Sequence, residues 1–171
     1  MNKNFYIFRH ALATKNGYPD QNFDVQILAE GVAPITKMAR YLVNVQSESN
    51  FSSQYLRCKQ TVQIISKITG KKFVFDKRLN EYYAESFEKF LARVNNSLED
   101  LLKQADQNII ICTHAAVISV IIQLLKEKRI DQEKVFTHQP KPGTLLIVKN
   151  KRVEELDFNK SWHPLPRWGN D

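Results

Sequence analysis

The distribution of apolar and polar positions predicts strands and helices that alternate along the chain. Two short apolar runs, residues 4–8 and 108–112, are typical of buried strands, and each ends at a charged or polar pair that includes a histidine. Longer segments carry apolar residues at intervals of three and four, the spacing of amphipathic helices. The helices predicted in this way are 28–45 with Pro34 in its first turn, 57–68 ending at Gly70, 86–104 and 115–126.

Weaker patterns complete the predicted fold. Residues 72–75 alternate as a short strand, whereas residues 47–53 are polar and turn-like around Phe51 and give little strand signal. Residues 144–148 and 152–158 predict a terminal hairpin around Asn150 and Lys151. Because strands alternate with helices, we expect one α/β domain over residues 1–171. It would be a three-layer α/β/α sandwich with a mainly parallel sheet, an antiparallel edge, and an irregular tail from about residue 159.

Composition adds the expected type of partner. The 171 residues are 43% hydrophobic and 25% charged, values of an ordinary globular domain, which excludes a disordered, collagenous or coiled-coil chain. Lys and Arg number 25 against 18 acidic residues, a formal charge of +7, so an anionic partner is expected. The basic residues are scattered rather than gathered into one tract, so neither a nucleic-acid nor a membrane partner is expected.

The two cysteines, Cys58 and Cys112, lie in apolar surroundings and give no disulfide framework, which favours the reducing cytoplasm. The N-terminal apolar run is interrupted at Arg9 and His10, so it does not resemble a signal peptide, and no apolar run reaches about 18 residues. The sequence therefore predicts a cytoplasmic protein.

Three segments would bring ionisable residues to the carboxyl edge of the predicted sheet. Arg9-His10 and Thr113-His114 each follow a buried strand, and a polar loop from Ser53 leads into the helix that begins near Arg57. Each residue taken singly has an ordinary structural interpretation: a hydrogen-bonded histidine, a solvated arginine, a serine helix cap. Two histidines and two arginines at one edge instead form a cationic pocket suited to phosphate.

These same residues carry a resemblance to the histidine phosphatase superfamily, whose fold is phosphoglycerate mutase-like. Five blocks occur in the family's order over roughly residues 5–148, which is nearly the whole chain. They are Phe8-Arg9-His10-Ala11, Leu28-Ala29-Glu30-Gly31, the Ser-x-x-x-Arg-x-x-Gln-Thr segment 53–61, Arg78-Leu79-Asn80-Glu81 and Ile111-Cys112-Thr113-His114-Ala115.

The resemblance implies a phosphatase that hydrolyses a phosphomonoester without metal or cofactor. His10 would be the nucleophile that becomes phosphorylated, and Arg9, Arg57 and His114 would hold the phosphoryl oxygens. Glu81 would be the general acid and base, for which burial must raise its pKa.

Two further residues belong to the implied site. Glu85 lies close enough to Glu81 to act as the proton donor instead. Asn16, six residues after His10, occupies a position where relatives often have a substrate-contacting asparagine, although it also lies in an Asn-rich loop. The substrate would be a small phosphorylated molecule or a phosphoprotein.

The chain departs from the family pattern at three places, and these leave other functions open. Ala11 and Ala115 stand where relatives have glycine. A methyl at position 11 would crowd the phosphate pocket, but because alanine is the smallest alternative to glycine, we expect reduced freedom there rather than loss of activity. These changes motivate the alternative of a non-catalytic binding module. The segment after Glu81 is short, which favours a phosphatase over a phosphoglycerate-type mutase. A phosphohistidine protein phosphatase is the remaining alternative.

Overall fold

The structure is a computed structural model, and it describes residues 3–14, 25–127 and 129–160. Strands and helices alternate along most of this length. They are β1 (Asn4–Arg9), α1 (Val32–Leu42), β2 (Ser49–Ser52), α2 (Leu56–Thr69), β3 (Val74–Phe75), α3 (Phe87–Leu102), β4 (Asn108–Thr113), α4 (Ala115–Glu127), α5 (Gln132–Thr137), β5 (Thr144–Lys149) and β6 (Arg152–Asp157).

The described strands form one six-stranded sheet in the order β3-β2-β4-β1-β5-β6. The first four strands of that order are parallel, and β5 and β6 add the predicted antiparallel hairpin at one edge. In the central pair, Arg9 of β1 lies opposite Thr113 of β4. The residues that follow these two strands, His10 and His114, therefore leave the sheet side by side.

Alternating side chains of the sheet enter two apolar clusters, one on each face. Phe5 and Ile7 pack with α3, α4 and α5, whereas Tyr6 and Phe8 pack with α1 and α2. Because both faces of the sheet are covered by helices, the strands at its centre are almost wholly apolar. The predicted three-layer α/β/α sandwich with a mainly parallel sheet is confirmed.

The strand β2 was only weakly indicated because three of its four residues are polar. They are nevertheless buried, since each has a partner in the fold: Ser49 Oγ donates to Asp106 Oδ2, and Asn50 Nδ2 donates to the carbonyl of Lys72 at 3.1 Å. Ser52 Oγ donates to the carbonyl of Ser53 at 2.9 Å. Hydrogen bonds to distant segments, which sequence patterning does not register, thus stabilise a polar strand between β3 and β4.

Other boundaries differ modestly from the predicted ones. Residues Ala29–Gly31 form a single 3-10 turn before α1, and β3 comprises only two residues. The short helix α5 was not predicted; Asp131 caps it by accepting from the backbone N–H of Lys134. Gly70 does end α2, with a left-handed φ of 74°. The predicted tail lies outside the described residues from position 161 onward, as does most of the loop that contains Asn16.

Candidate active site

Two histidines meet at the carboxyl edge of the sheet, where β1 and β4 end. The backbone N–H of His10 donates to the carbonyl of Thr113 at 3.0 Å, which continues the parallel ladder one residue beyond the strands. The ring centroids of His10 and His114 are 5.2 Å apart, and both side chains are buried. The sheet register therefore brings together two residues separated by more than a hundred positions.

Arg57, in the first turn of α2, bridges the two rings. Its Nε donates to His10 Nε2 at 3.1 Å, and its Nη2 lies 3.1 Å from His114 Nδ1. The guanidinium also lies over the ring of Tyr55, 5.1 Å from its centroid. A single cation therefore contacts one nitrogen of each histidine, Nε2 of His10 and Nδ1 of His114.

The protonation of His10 follows from its two neighbours. Its Nδ1 is 2.8 Å from the carbonyl oxygen of Ala11, an acceptor only, so Nδ1 carries the hydrogen and the lone pair of Nε2 accepts from Arg57. Burial, and then the positive charges of Arg57 and Arg9, lower the pKa of His10 to about 3. His10 is therefore a neutral imidazole with Nε2 available as a nucleophile.

His114 is held from the opposite side by a chain of hydroxyl and amide groups. Its Nε2 donates to Ser53 Oγ at 2.8 Å, and Ser53 Oγ donates to Asn80 Oδ1 at 2.8 Å. Burial lowers the pKa of His114, and His10, Arg57, Arg9 and Arg93 lower it further. The sequence alone suggests a helix cap for Ser53, and its position in the Ser-x-x-x-Arg block is the only sequence signal for this contact.

Glu81 is the carboxylate that faces the histidines. Its Oε2 lies 3.9 Å from His114 Nδ1, and its Oε1 accepts from the backbone N–H of Tyr82 at 3.0 Å. Burial raises the pKa of Glu81 above its usual value, although the Tyr82 N–H and three arginines act in the opposite direction. In contrast, both oxygens of Glu85 accept from Arg93 Nε at 3.0 Å, so that carboxylate is engaged away from the histidines.

Arg9 and Asn16 complete the predicted set. Arg9 Nη1 donates to the carbonyl of Pro140 at 3.4 Å, and its charge helps to lower the pKa of both histidines. Asn16 lies outside the described residues, so its role remains a prediction.

The alanines that replace family glycines are accommodated. Ala11 is fully buried in the cluster beneath α1 and α2, its methyl faces Gly31, and its N–H donates to Thr61 Oγ1 at 2.9 Å. A Cβ on Gly31 would lie 3.1 Å from the Ala11 Cβ, so the space for this methyl is provided by Gly31. Ala115 is the first residue of α4, where alanine is favourable. The expected crowding of the pocket by Ala11 is therefore not supported, since its methyl packs in the core.

Comparison with solved structures identifies the fold. The alpha-ribazole phosphatase from Shigella flexneri is 17% identical with a TM-score of 0.76, covering 92% of this chain and 96% of that one. A phosphoglycerate mutase from Bacillus anthracis is 16% identical with a TM-score of 0.70, covering 91% and 93%. A proposed phosphohistidine phosphatase from Agrobacterium tumefaciens is 16% identical with a TM-score of 0.67, covering 91% and 99%. The fold is therefore phosphoglycerate mutase-like, as predicted.

Within the described residues, no group of three or more His, Cys, Asp or Glu side chains is arranged to hold a metal ion. The helices described here include none with the length and apolar character needed to cross a bilayer. No curated protein matches the sequence. The family model of the histidine phosphatase superfamily (branch 1) matches residues 5–84 and 82–160. The chain therefore belongs to the histidine phosphatase superfamily.

Proposed function

We propose that this protein is a phosphatase that hydrolyses a phosphomonoester through a phosphohistidine on His10. The observation that carries the proposal is the orientation of that ring. The Ala11 carbonyl holds the Nδ1 hydrogen, and Nε2 is directed at Arg57 beside His114 and Glu81. An unprotonated nitrogen surrounded by cationic groups is what attack on a phosphoryl group requires.

The first step transfers the phosphoryl group to the enzyme. The Nε2 lone pair of His10 attacks phosphorus, the bond to the ester oxygen breaks, and protonated Glu81 gives its proton to the departing oxygen. His10 keeps its Nδ1 hydrogen, which donates to the Ala11 carbonyl, so the phosphorylated ring carries the positive charge. The products of this step are a free alcohol, phosphohistidine and the Glu81 carboxylate.

The second step releases phosphate. The Glu81 carboxylate takes a proton from water, the oxygen of that water attacks phosphorus, and the bond between nitrogen and phosphorus breaks. Inorganic phosphate leaves, His10 returns to its neutral state, and Glu81 is protonated for the next cycle.

The arginines would supply the charge stabilisation. Arg9 and Arg57 would neutralise the phosphoryl oxygens in both steps, and a bound phosphoryl group would replace the histidines as the partner of the Arg57 donors. His114 Nδ1 is an acceptor in this structure, so holding a phosphoryl oxygen would favour its protonation, and the Glu81 carboxylate 3.9 Å away would stabilise the resulting positive charge. Because side chains provide the positive charge, we expect activity to persist in EDTA.

Hydrolysis is favoured over transfer within the active site. Only residues 82–86 separate Glu81 from α3, so this connection contains no inserted lid that would retain an intermediate. We propose that the substrate is a small phosphorylated molecule, with a phosphohistidine protein as the second candidate because one similar structure is a proposed phosphohistidine phosphatase. The two free, buried cysteines fit an enzyme of the reducing cytoplasm.

The decisive experiment uses p-nitrophenyl phosphate in EDTA with the wild type, His10→Ala and, as a matched control, the exposed histidine variant His138→Ala. We expect kcat of His10→Ala to fall by at least about 10³-fold, whereas the control should keep the kcat of the wild type. Acid-labile, alkali-stable label from a ³²P-ester should appear on the wild type and on His138→Ala but not on His10→Ala. Equal rates for wild type and His10→Ala would exclude the mechanism, and phosphate binding without turnover would indicate a binding module.

A further inference from the structure

Arg93, in the second turn of α3, contacts the segment that leads to this helix. Its Nη1 donates to the carbonyl oxygens of Arg78 at 2.7 Å and Asn80 at 2.8 Å, and its Nη2 donates to the carbonyl of Glu81 at 3.0 Å. Three backbone carbonyls within four consecutive residues are therefore fixed by one side chain.

The rest of the same guanidinium is also engaged. Its Nε lies 3.0 Å from each oxygen of Glu85, and its Nη2 donates to Glu85 Oε1 as well. Both side chains are about four-fifths buried, with exposed fractions of 20% and 19%. The guanidinium lies over the ring of Phe90, with Arg93 Cζ 4.9 Å from the ring centroid. This arrangement uses the planar five-donor geometry of arginine, which the three donors of a lysine ammonium do not reproduce.

The segment that Arg93 holds carries two groups of the candidate active site. Asn80 Oδ1 accepts from Ser53 Oγ, which in turn accepts from His114 Nε2. The next residue, Glu81, presents its carboxylate 3.9 Å from His114 Nδ1. Arg93 thus binds the backbone of both Asn80, which orients His114, and Glu81, whose carboxylate faces His114.

The backbone of this segment contains an unfavourable conformation that contacts from outside the segment must stabilise. Ala84 adopts a left-handed conformation with a φ of 49°, which is unfavourable for alanine because its Cβ approaches the following carbonyl oxygen. Glu85, whose carboxylate pairs with Arg93, follows it immediately. The ion pair therefore closes a strained turn onto α3.

We propose that Arg93 is a positioning residue that fixes Asn80 and Glu81 against His114, so that Glu81 can deliver its proton to the leaving group. The inference rests on the proposed role of Glu81. It assigns Arg93 no contact with the substrate. Its loss should therefore weaken proton delivery more than phosphate binding.

The experiment compares two substrates that differ in their need for a proton. p-Nitrophenolate leaves without protonation, whereas the alkoxide of glycerol 2-phosphate requires it. For Arg93→Lys, which keeps the charge, we expect kcat/KM on glycerol 2-phosphate to fall by about 10²-fold. We expect a much smaller change in kcat/KM on p-nitrophenyl phosphate, because kcat/KM reports the transfer to His10 and excludes the later release of phosphate, which both substrates share.

Arg78→Lys is the matched control, because Arg78 contacts the side chains of Asp76, Asn96 and Asp100 rather than the carbonyls of this segment. Its thermal stability should fall, while the ratio of the two kcat/KM values should remain that of the wild type. An unchanged ratio in Arg93→Lys would overturn the proposal, whether both values stay at the wild-type level or both fall by the same factor.

Two further variants keep the result interpretable. Glu81→Gln should show the same substrate dependence more strongly; if it does not, the proposed role of Glu81 fails rather than that of Arg93. If Arg93→Lys does not fold, Glu85→Gln replaces it, since it removes the ion pair that holds the Arg93 guanidinium against the backbone carbonyls. A wild-type ratio in Glu85→Gln would then overturn the inference.

Discussion

At His10, burial and two arginines lower the pKa to about 3, whereas at Glu81 burial raises the pKa above its usual value. The same low-polarity surroundings act in opposite directions because they disfavour the charged form of each group. The result is a base that is unprotonated and an acid that keeps its proton to a higher pH than an exposed glutamic acid does. Two titratable groups separated in this way suit the proposed roles of nucleophile and proton donor.

The pH dependence of kcat/KM follows from these directions. As the pH rises through the raised pKa of Glu81, the proton donor is lost, so activity on glycerol 2-phosphate should decline on the alkaline side. His10 stays unprotonated down to about pH 3 and should not limit activity above that value. Glu81→Gln should lower kcat/KM. It should also remove the part of the alkaline decline that comes from Glu81, so that only the part caused by ionisation of the substrate remains. A decline that is identical in wild type and Glu81→Gln would contradict the assignment.

The segment between the Lys77–Leu79 turn and α3 is the element that completes the site. It positions Asn80 and Glu81, passes through the left-handed Ala84, and ends at Ser86, whose side chain caps α3 by accepting from the backbone N–H of Lys89. Contacts at both of its ends, from the helix cap and from Arg93, compensate for the unfavourable backbone in between. The local conformational preferences of residues 80–86 alone would not favour this backbone conformation.

A glycine substitution tests the strain directly. Ala84→Gly removes the penalty of a left-handed alanine, which exceeds the entropic cost of glycine, so stability should rise by up to about 1 kcal/mol. The control Ala92→Gly, at an exposed position within α3, should lose about 1 kcal/mol. Urea unfolding of the two variants measures both values. An equal loss in both would indicate that the backbone at Ala84 is not strained.

For the whole molecule, the two buried neutral histidines link stability to pH. The unfolded chain protonates each of them near 6.5, whereas the folded chain does not, so acid favours unfolding. The raised pKa of Glu81 acts in the opposite direction, but it is one group against two. The formal charge of +7 grows further as carboxylates become protonated, which adds repulsion.

We therefore expect the free energy of unfolding to fall as the pH decreases below about 6.5. Each buried histidine should contribute up to about 1.4 kcal/mol per pH unit. Urea unfolding between pH 7.5 and 4.5 measures the slope. His10→Asn should reduce it, whereas His138→Asn, at an exposed histidine, should leave it unchanged. A slope that His10→Asn does not alter would show that His10 binds protons equally in the folded and unfolded protein, which contradicts its lowered pKa.

The sequence by itself determined the layered α/β fold, because apolar periodicity is a local property that decides which face of each element is buried. It also determined that His10, Arg57 and His114 follow strands or begin a helix at one edge of the sheet. Only the tertiary structure decided which polar groups meet. Ser53 reaches His114 across 61 positions, and Arg93 reaches Asn80 across 13. The polar strand β2, the orientation of Glu81 rather than Glu85 toward the histidines, and the role of Arg93 all depend on such contacts, which form only when separate elements pack together.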